Sequence, residues 1–266
     1  MRRRVAAARR AKLAEILVTA AGQPKLIVEA DAEALARTAA ERVMARIAAN
    51  PGRSAICLTG GSSPKKLYQL LGSEAWRGRI PWDRVHWFIG DERFVPESDP
   101  LNNMAVARTT FLDSNAPPGH VHPIPTAAEN PDASAAAYAR ELQAFYGADR
   151  LDPARPLFDV VLMGAGPDGH TASLFPGYAE IEETRRWVVG VAKANVAPFV
   201  PRVSLTLPVL ASCREMLFEI AGHDKRPILT RLLNGENLPA LRARSNGETV
   251  WLVDRAALPE EIRGRR

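Results

Sequence analysis

The chain has 266 residues, 46% of them hydrophobic and 24% charged; those proportions suit an ordinary globular protein and exclude disordered, collagen-like and coiled-coil classes. The net charge of +5 looks like a nucleic-acid signature until it is located: Arg2, Arg3, Arg4, Arg9, Arg10 and Lys12 stand near the start, and Arg263, Arg265 and Arg266 at the end. Removing those nine leaves 26 basic groups against 30 acidic ones, so the body is not basic and nucleic acid is not an expected partner.

Residues 1–24 read as a flexible basic arm, in which Glu15 interrupts any secretory apolar run. The first predicted strand is 25–29. Asp31 then caps an amphipathic helix to about Ala49, closed by Asn50-Pro51-Gly52. Segment 54–59 is apolar on both faces, the pattern of a buried parallel strand. After Gly60-Gly61-Ser62-Ser63, Pro64 opens the next helix. A strand at 84–89 and a helix at 102–112 follow. The proline-rich stretch from Pro117 to Pro131 reads as a loop around a short strand at 120–124, and Asp132 starts a helix to about Tyr146. The most strand-like run is 157–163. Further strands are predicted at 187–192, 203–206, 216–221 and 249–253, with a helix at 225–233 and a tail from 256. This alternation implies a three-layer, Rossmann-like α/β domain over residues 25–255 with a largely parallel sheet, and marks 181–210 as a candidate small subdomain.

In open α/β sheets ligands bind beyond the carboxyl ends of the strands, so the segments that follow strands carry the functional reading. Thr59-Gly60-Gly61-Ser62-Ser63-Pro64-Lys65 offers two glycines that admit close backbone approach, two hydroxyls and a helix N-terminus that favours an anion. It matches neither GxxxxGK[ST] nor GxGxxG, and without a ligand the same residues make an ordinary turn and cap. Gly90-Asp91-Glu92-Arg93 places three charges after a strand; taken alone these read as a solvated loop, with Asp99, Asn102 and Asn103 as turn and cap residues. Segment 163–171 puts three glycines and Pro167 in a fixed backbone path that presents Asp168 and His170. Histidine suits proton transfer near neutral pH, and a neighbouring carboxylate can orient it.

The remaining candidates are bland. His120 and His122 have no third ligand in view, so no metal is expected, and His86 reads as structural. No G-x-S-x-G elbow surrounds Ser62 or Ser63. Cys57 and Cys213 stand far apart in apolar surroundings and point to a reducing compartment. No run approaches the roughly 18 apolar residues of a membrane span. A cytoplasmic protein without membrane partners is the expectation.

Together, LTGGSSPKKLYQLL, FIGDERFVPESDPLNN and VLMGAGPDGHTASLFPG, in that order, resemble the 6-phosphogluconolactonase family, and the similarity runs from about Lys25 to Val253. Weaker agreement covers 202–208 and 222–225. The resemblance implies an enzyme that hydrolyses 6-phospho-D-glucono-1,5-lactone to 6-phosphogluconate in the oxidative pentose phosphate pathway. It implies no metal or other cofactor, a sugar-phosphate lactone as the only small-molecule partner, and a monomer or homodimer. Under it, His170 is the base that activates water and Asp168 supports it. Gly60, Gly61, Ser62 and Ser63, with Arg202 and Lys225, surround the substrate phosphate. Arg93 serves the phosphate or the developing oxyanion, and Asp91 supports the site or holds a substrate hydroxyl. The related glucosamine-6-phosphate deaminases carry a Glu five residues beyond the His, where this chain has Phe175. Two departures from the lactonase pattern stand out. Asn102 replaces the usual Ser, and Ala197-Pro198-Phe199-Val200-Pro201 replaces a Lys-Pro-Pro-like stretch, which leaves fewer cations for the phosphate. Sugar-phosphate-sensing regulators also resemble this superfamily, but 24 residues before the first strand are too few for a DNA-binding domain.

Overall fold

Two strands of the main sheet that are buried along their whole length lie at its centre, where both faces are covered by helices. They are β3 (Ser54–Leu58) and β7 (Phe158–Met163), every residue of which is buried in this computed structural model, which describes residues 15–17 and 24–263. In chain order the other strands are β1 (Glu15–Leu17), β2 (Lys25–Glu29), β4 (Val85–Ile89), β5 (Asp91–Arg93), β6 (Val121–His122), β8 (Val188–Val191), β9 (Arg202–Leu205), β10 (Cys213–Ile220) and β11 (Glu248–Asp254). The main sheet runs β1-β2-β11-β10-β7-β3-β4-β6 and is parallel except at β1.

The helices follow their caps. Asp31 accepts the Ala34 amide at 2.8 Å and starts α1 (Ala32–Ala49), whose Leu35, Ala39, Val43 and Ile47 form one buried face. The others are α2 (Lys65–Gly72), α3 (Glu74–Arg77), α4 (Asn103–Ala107), α5 (Pro131–Tyr146), α6 (Leu207–Ala211), α7 (Arg226–Leu233), α8 (Pro239–Arg242) and α9 (Glu260–Arg263). Asn130, not Asp132, caps α5, accepting the Ala133 amide at 2.9 Å. The helix predicted at 102–112 is α4 continued by a π-helical turn at Arg108–Leu112, and the one predicted from 225 begins at Arg226 after a 3-10 turn.

Three expectations are corrected by long-range packing. Part of the segment expected as a flexible arm, Glu15–Leu17, forms β1 against β2; residues 1–12 lie outside the described residues. The tail expected from 256 packs down instead: Ala257 and Leu258 are buried, and Glu260 pairs with Arg226 at 3.2 Å. The strands predicted at 187–192 and 203–206 leave the main sheet. As β8 and β9 they build an antiparallel sheet β5-β9-β8 with the charged triplet 91–93, so the candidate small subdomain at 181–210 borrows a third strand. Gly90 joins the two sheets: its amide donates to Leu58 O at 2.9 Å, and its carbonyl accepts the Leu205 amide at 2.9 Å. The small sheet is thereby held over the carboxyl end of β3.

At the opposite edge, β4 and β6 gather His86, His120 and His122. His86 Nδ1 and His122 Nε2 lie 2.9 Å apart, His122 Nδ1 meets Glu141 at 2.7 Å, and the His86 ring stacks on His120. Burial, with the two neighbouring histidines and Arg53, pulls His86 down to about 4. The rings bond and stack with one another, and among the described residues no group of three or more His, Cys, Asp or Glu is arranged to hold a metal. Among those residues no helix is long and apolar enough to cross a membrane.

Candidate active site

A cleft of about 370 Å³ opens beyond the carboxyl ends of β3 and β7 and is walled on one side by the small sheet. Nine of the ten predicted site residues line it: Gly60, Gly61, Ser62, Ser63, Asp91, Arg93, His170, Arg202 and Lys225. The tenth, Asp168, stands behind His170. Its Oδ1 lies 2.5 Å from His170 Nδ1 and also accepts the His170 amide at 3.1 Å. Burial pushes the Asp168 carboxyl up, but the hydrogen bonds and charge of His170 outweigh it and hold the group below its usual range. An ionised Asp168 favours the hydrogen on Nδ1, so the neutral form of the ring carries its lone pair on Nε2.

The histidine's place is set by the turn after β7. Gly166 N donates to His170 O at 2.8 Å, and a Cβ on Gly166 would lie 2.0 Å from His170 Cε1. Only glycine admits the ring there. The other side of the ring rests on buried Phe175, with centroids 4.9 Å apart. The position where deaminases carry an acid is therefore a packing surface under the imidazole.

Three cations converge on the cleft, and among the described residues none has a carboxylate in ion-pair contact. Arg93 Nη1 donates to Leu101 O at 2.7 Å, Arg202 Nη2 to Pro198 O at 2.8 Å, and Lys225 Nζ to Ala165 O at 2.9 Å. Arg93 and Arg202 are cross-strand neighbours in the β5–β9 register. Burial pulls Arg202 below its ordinary range, with Asp91 opposing and Arg93 adding to the effect. Carbonyl partners orient these groups without neutralising them, and α2 points its N-terminus from the same end of the sheet. Ala197 and Val196 line the cleft where a lysine would supply a further cation. Among the described residues, the Arg and Lys side chains that line the cleft are accordingly these three.

The charged triplet is not a solvated loop. Glu92 is fully buried and accepts the amides of Arg93, Asn103 and Met104 at 2.8, 2.6 and 2.9 Å, anchoring the start of α4. Burial pushes Glu92 up to about 7 against those three hydrogen bonds, which lower it. Asp91, also buried, instead lines the cleft, with its Oδ2 2.6 Å from Ser173 Oγ. Asn102 caps α4 by accepting the Ala105 amide at 2.9 Å, which is the work a serine there would do.

Sequence reasoning missed two side chains. Asn103, read as a turn or cap residue, lines the cleft and ties Asp91 O to its Nδ2 at 3.0 Å. It sits so close to Gly60 that a Cβ there would lie 2.1 Å from Asn103 Oδ1. Ser173 was quoted within its motif without a role. The nearest local signal was a second asparagine after a cap and a hydroxyl shortly after a histidine, and neither specifies a partner.

This architecture recurs in known proteins. A family model described as "Glucosamine-6-phosphate isomerases/6-phosphogluconolactonase" matches residues 30–251. A 6-phosphogluconolactonase of Streptomyces coelicolor is 39% identical over 246 residues, covering 88% of this chain and 93% of that protein. The structure of 6-phosphogluconolactonase from Trypanosoma cruzi superposes with a TM-score of 0.77 at 28% identity, covering 88% and 96% of the two chains. A monomeric glucosamine-6-phosphate deaminase, at 18% identity and a TM-score of 0.74, shares the fold alone. With the parallel sheet, the Asp-Gly-His turn and the family match spanning most of its length, the chain belongs to the glucosamine-6-phosphate isomerase/6-phosphogluconolactonase family.

Proposed function

We propose that this protein is a 6-phosphogluconolactonase, hydrolysing 6-phospho-D-glucono-1,5-lactone to 6-phosphogluconate with His170 as general base. The observation that carries the reading is the His170–Asp168 pair at 2.5 Å on a cleft that also holds three cations paired only with carbonyls. The relatives that bear the lactonase name support the substrate.

In this mechanism a water gives its proton to His170 Nε2 as its oxygen attacks C1. The carbonyl electron pair moves onto oxygen. Collapse of the tetrahedral intermediate breaks the bond from C1 to the ring oxygen, which takes the proton back from the imidazolium and leaves as the C5 hydroxyl. Asp168 holds Nδ1–H and stabilises the cationic ring. Lys225, Arg202 and the Gly60–Ser63 turn bind the phosphate, and Arg93 serves the phosphate or the oxyanion. Asp91 accepts a substrate hydroxyl.

The direct test adds purified protein to freshly generated lactone and follows its loss against the spontaneous rate. No acceleration at micromolar enzyme would sink the reading. His170→Asn lowers kcat by roughly 10²–10⁴ with KM little altered, because proton transfer is made only in the transition state. Asp168→Asn costs less, since an amide still orients the ring. A His170→Asn enzyme with near-wild-type kcat would remove the histidine from the mechanism. Phe175 predicts no ammonia release from glucosamine 6-phosphate.

A further inference from the structure

We propose that Ser173 is a positioning residue for this hydrolysis, fixing the carboxylate of Asp91 so that one oxygen stays presented to the substrate; the inference rests on the lactonase reading above. Asp91 is 6% exposed, yet it lines the cleft. Its Oδ2 accepts the Ser173 hydroxyl at 2.6 Å, a bond between two buried residues 82 apart in sequence. Among the described residues no donor reaches the other oxygen, Oδ1. A carboxylate offers about four lone-pair sites, so Asp91 retains capacity for a substrate hydroxyl. Without Ser173 the carboxylate loses the one side-chain bond that fixes its rotation.

Ser173 is itself held from two sides. Its amide donates to Ser204 Oγ at 3.2 Å, and Ser204 is the β9 residue opposite Asp91 in the small sheet. Thr171 Oγ1 donates to Gly164 O at 2.7 Å, and the Leu174 amide to Thr171 O at 3.0 Å, which closes a tight turn around the serine. Within that turn Ala172 adopts φ +48°, a left-handed conformation that is unfavourable for a residue with a Cβ. Such strain persists only where the surroundings over-determine it, and it collects at working sites. Here it bends the chain so that, three residues after His170, the serine meets Asp91. One loop thereby carries the base and also aims the carboxylate of a different loop.

The experiment compares steady-state hydrolysis by wild type, Ser173→Ala, Ser173→Thr, Asp91→Ala and the double alanine variant, with thermal midpoints recorded for each. Ser173→Ala lowers kcat/KM by about 10- to 100-fold through misplacement of a binding group. Most of the loss falls in KM, because a hydroxyl is held in ground and transition states alike. Ser173→Thr restores most of the activity by keeping the donor. In the Asp91→Ala background the serine change adds less than about two-fold, because the group it positions is gone. Wild-type kcat/KM in Ser173→Ala, losses that multiply in the double variant, or no recovery in Ser173→Thr would overturn the assignment. Failure of the wild-type protein to hydrolyse the lactone would refute the functional reading instead, and this inference with it.

Discussion

Glu219 is the penultimate residue of β10, fully buried, with neither carboxylate oxygen bonded to any described residue. Alternate strand residues share a face, so Glu215 and Glu219 look toward the same layer. Glu215 is met by Arg42 and Arg46 of α1, whereas nothing compensates Glu219. Burial pushes its carboxyl from 4.5 up to about 8. Between those two values the folded protein keeps a proton that the unfolded chain releases. The folded state then binds more protons than the unfolded state, and stability falls as pH rises, by ~1.4 kcal/mol per pH unit. The loss begins above pH 4.5, is complete above pH 8, and reaches ~3 kcal/mol at pH 7. Glu219→Met keeps the length and removes the titrating group. Urea denaturation at pH 5.5 and 7.5 should show the variant more stable at both, with its advantage larger by ~2–3 kcal/mol at the higher pH. Glu92, which burial pushes up to about 7, is present in both proteins, so its contribution should cancel in the difference. An advantage of the same size at both pH values would refute the reasoning, because it would mean that Glu219 is equally ionised in the folded and unfolded states.

Two further perturbations probe the cleft. Gly166→Ala places a methyl 2.0 Å from His170 Cε1, so the ring must move; kcat should fall by ~10²-fold with the circular dichroism spectrum unchanged, and a fully active variant would show that the ring position is not critical. Lys225→Ala should raise KM for the phosphorylated lactone while leaving kcat nearly constant, and should barely affect the unphosphorylated lactone; equal losses on both substrates would move Lys225 away from the phosphate.

Much of this protein was legible before any coordinates. The run apolar on both faces at 54–59 reads as a buried parallel strand and 157–163 as the most strand-like run, and both are buried at the centre of the sheet, where helical layers cover the two faces. Turn chemistry is equally local, so the Gly-Gly-Ser-Ser turn and the Asp-Gly-His turn could be read as the ends of strands facing a ligand. Gly60–Ser63, Asp168 and His170 come from that reading, and Asp91, Arg93, Arg202 and Lys225 from the family resemblance; nine of these ten line one cleft, and Asp168 bonds to His170.

What remained illegible depended on partners distant in sequence. Asp91-Glu92-Arg93 has the composition of a solvated loop, yet pairing with β9 buries its acids, sending Glu92 to the Arg93 amide and two amides of α4, and Asp91 to Ser173. Glu15–Leu17 lies in a segment with the charge of a disordered arm and becomes a strand because β2 offers an open edge. Asn103 and Ser173 have no pattern of their own; they matter through what they touch 12 and 82 residues away. Periodicity and turn residues are properties of a short window, so the sequence determined the parallel strands, the loops that follow them and the place of His170. The charges' environments, the second sheet and the orientation of Asp91 are properties of contacts between windows, and only the tertiary structure decided them.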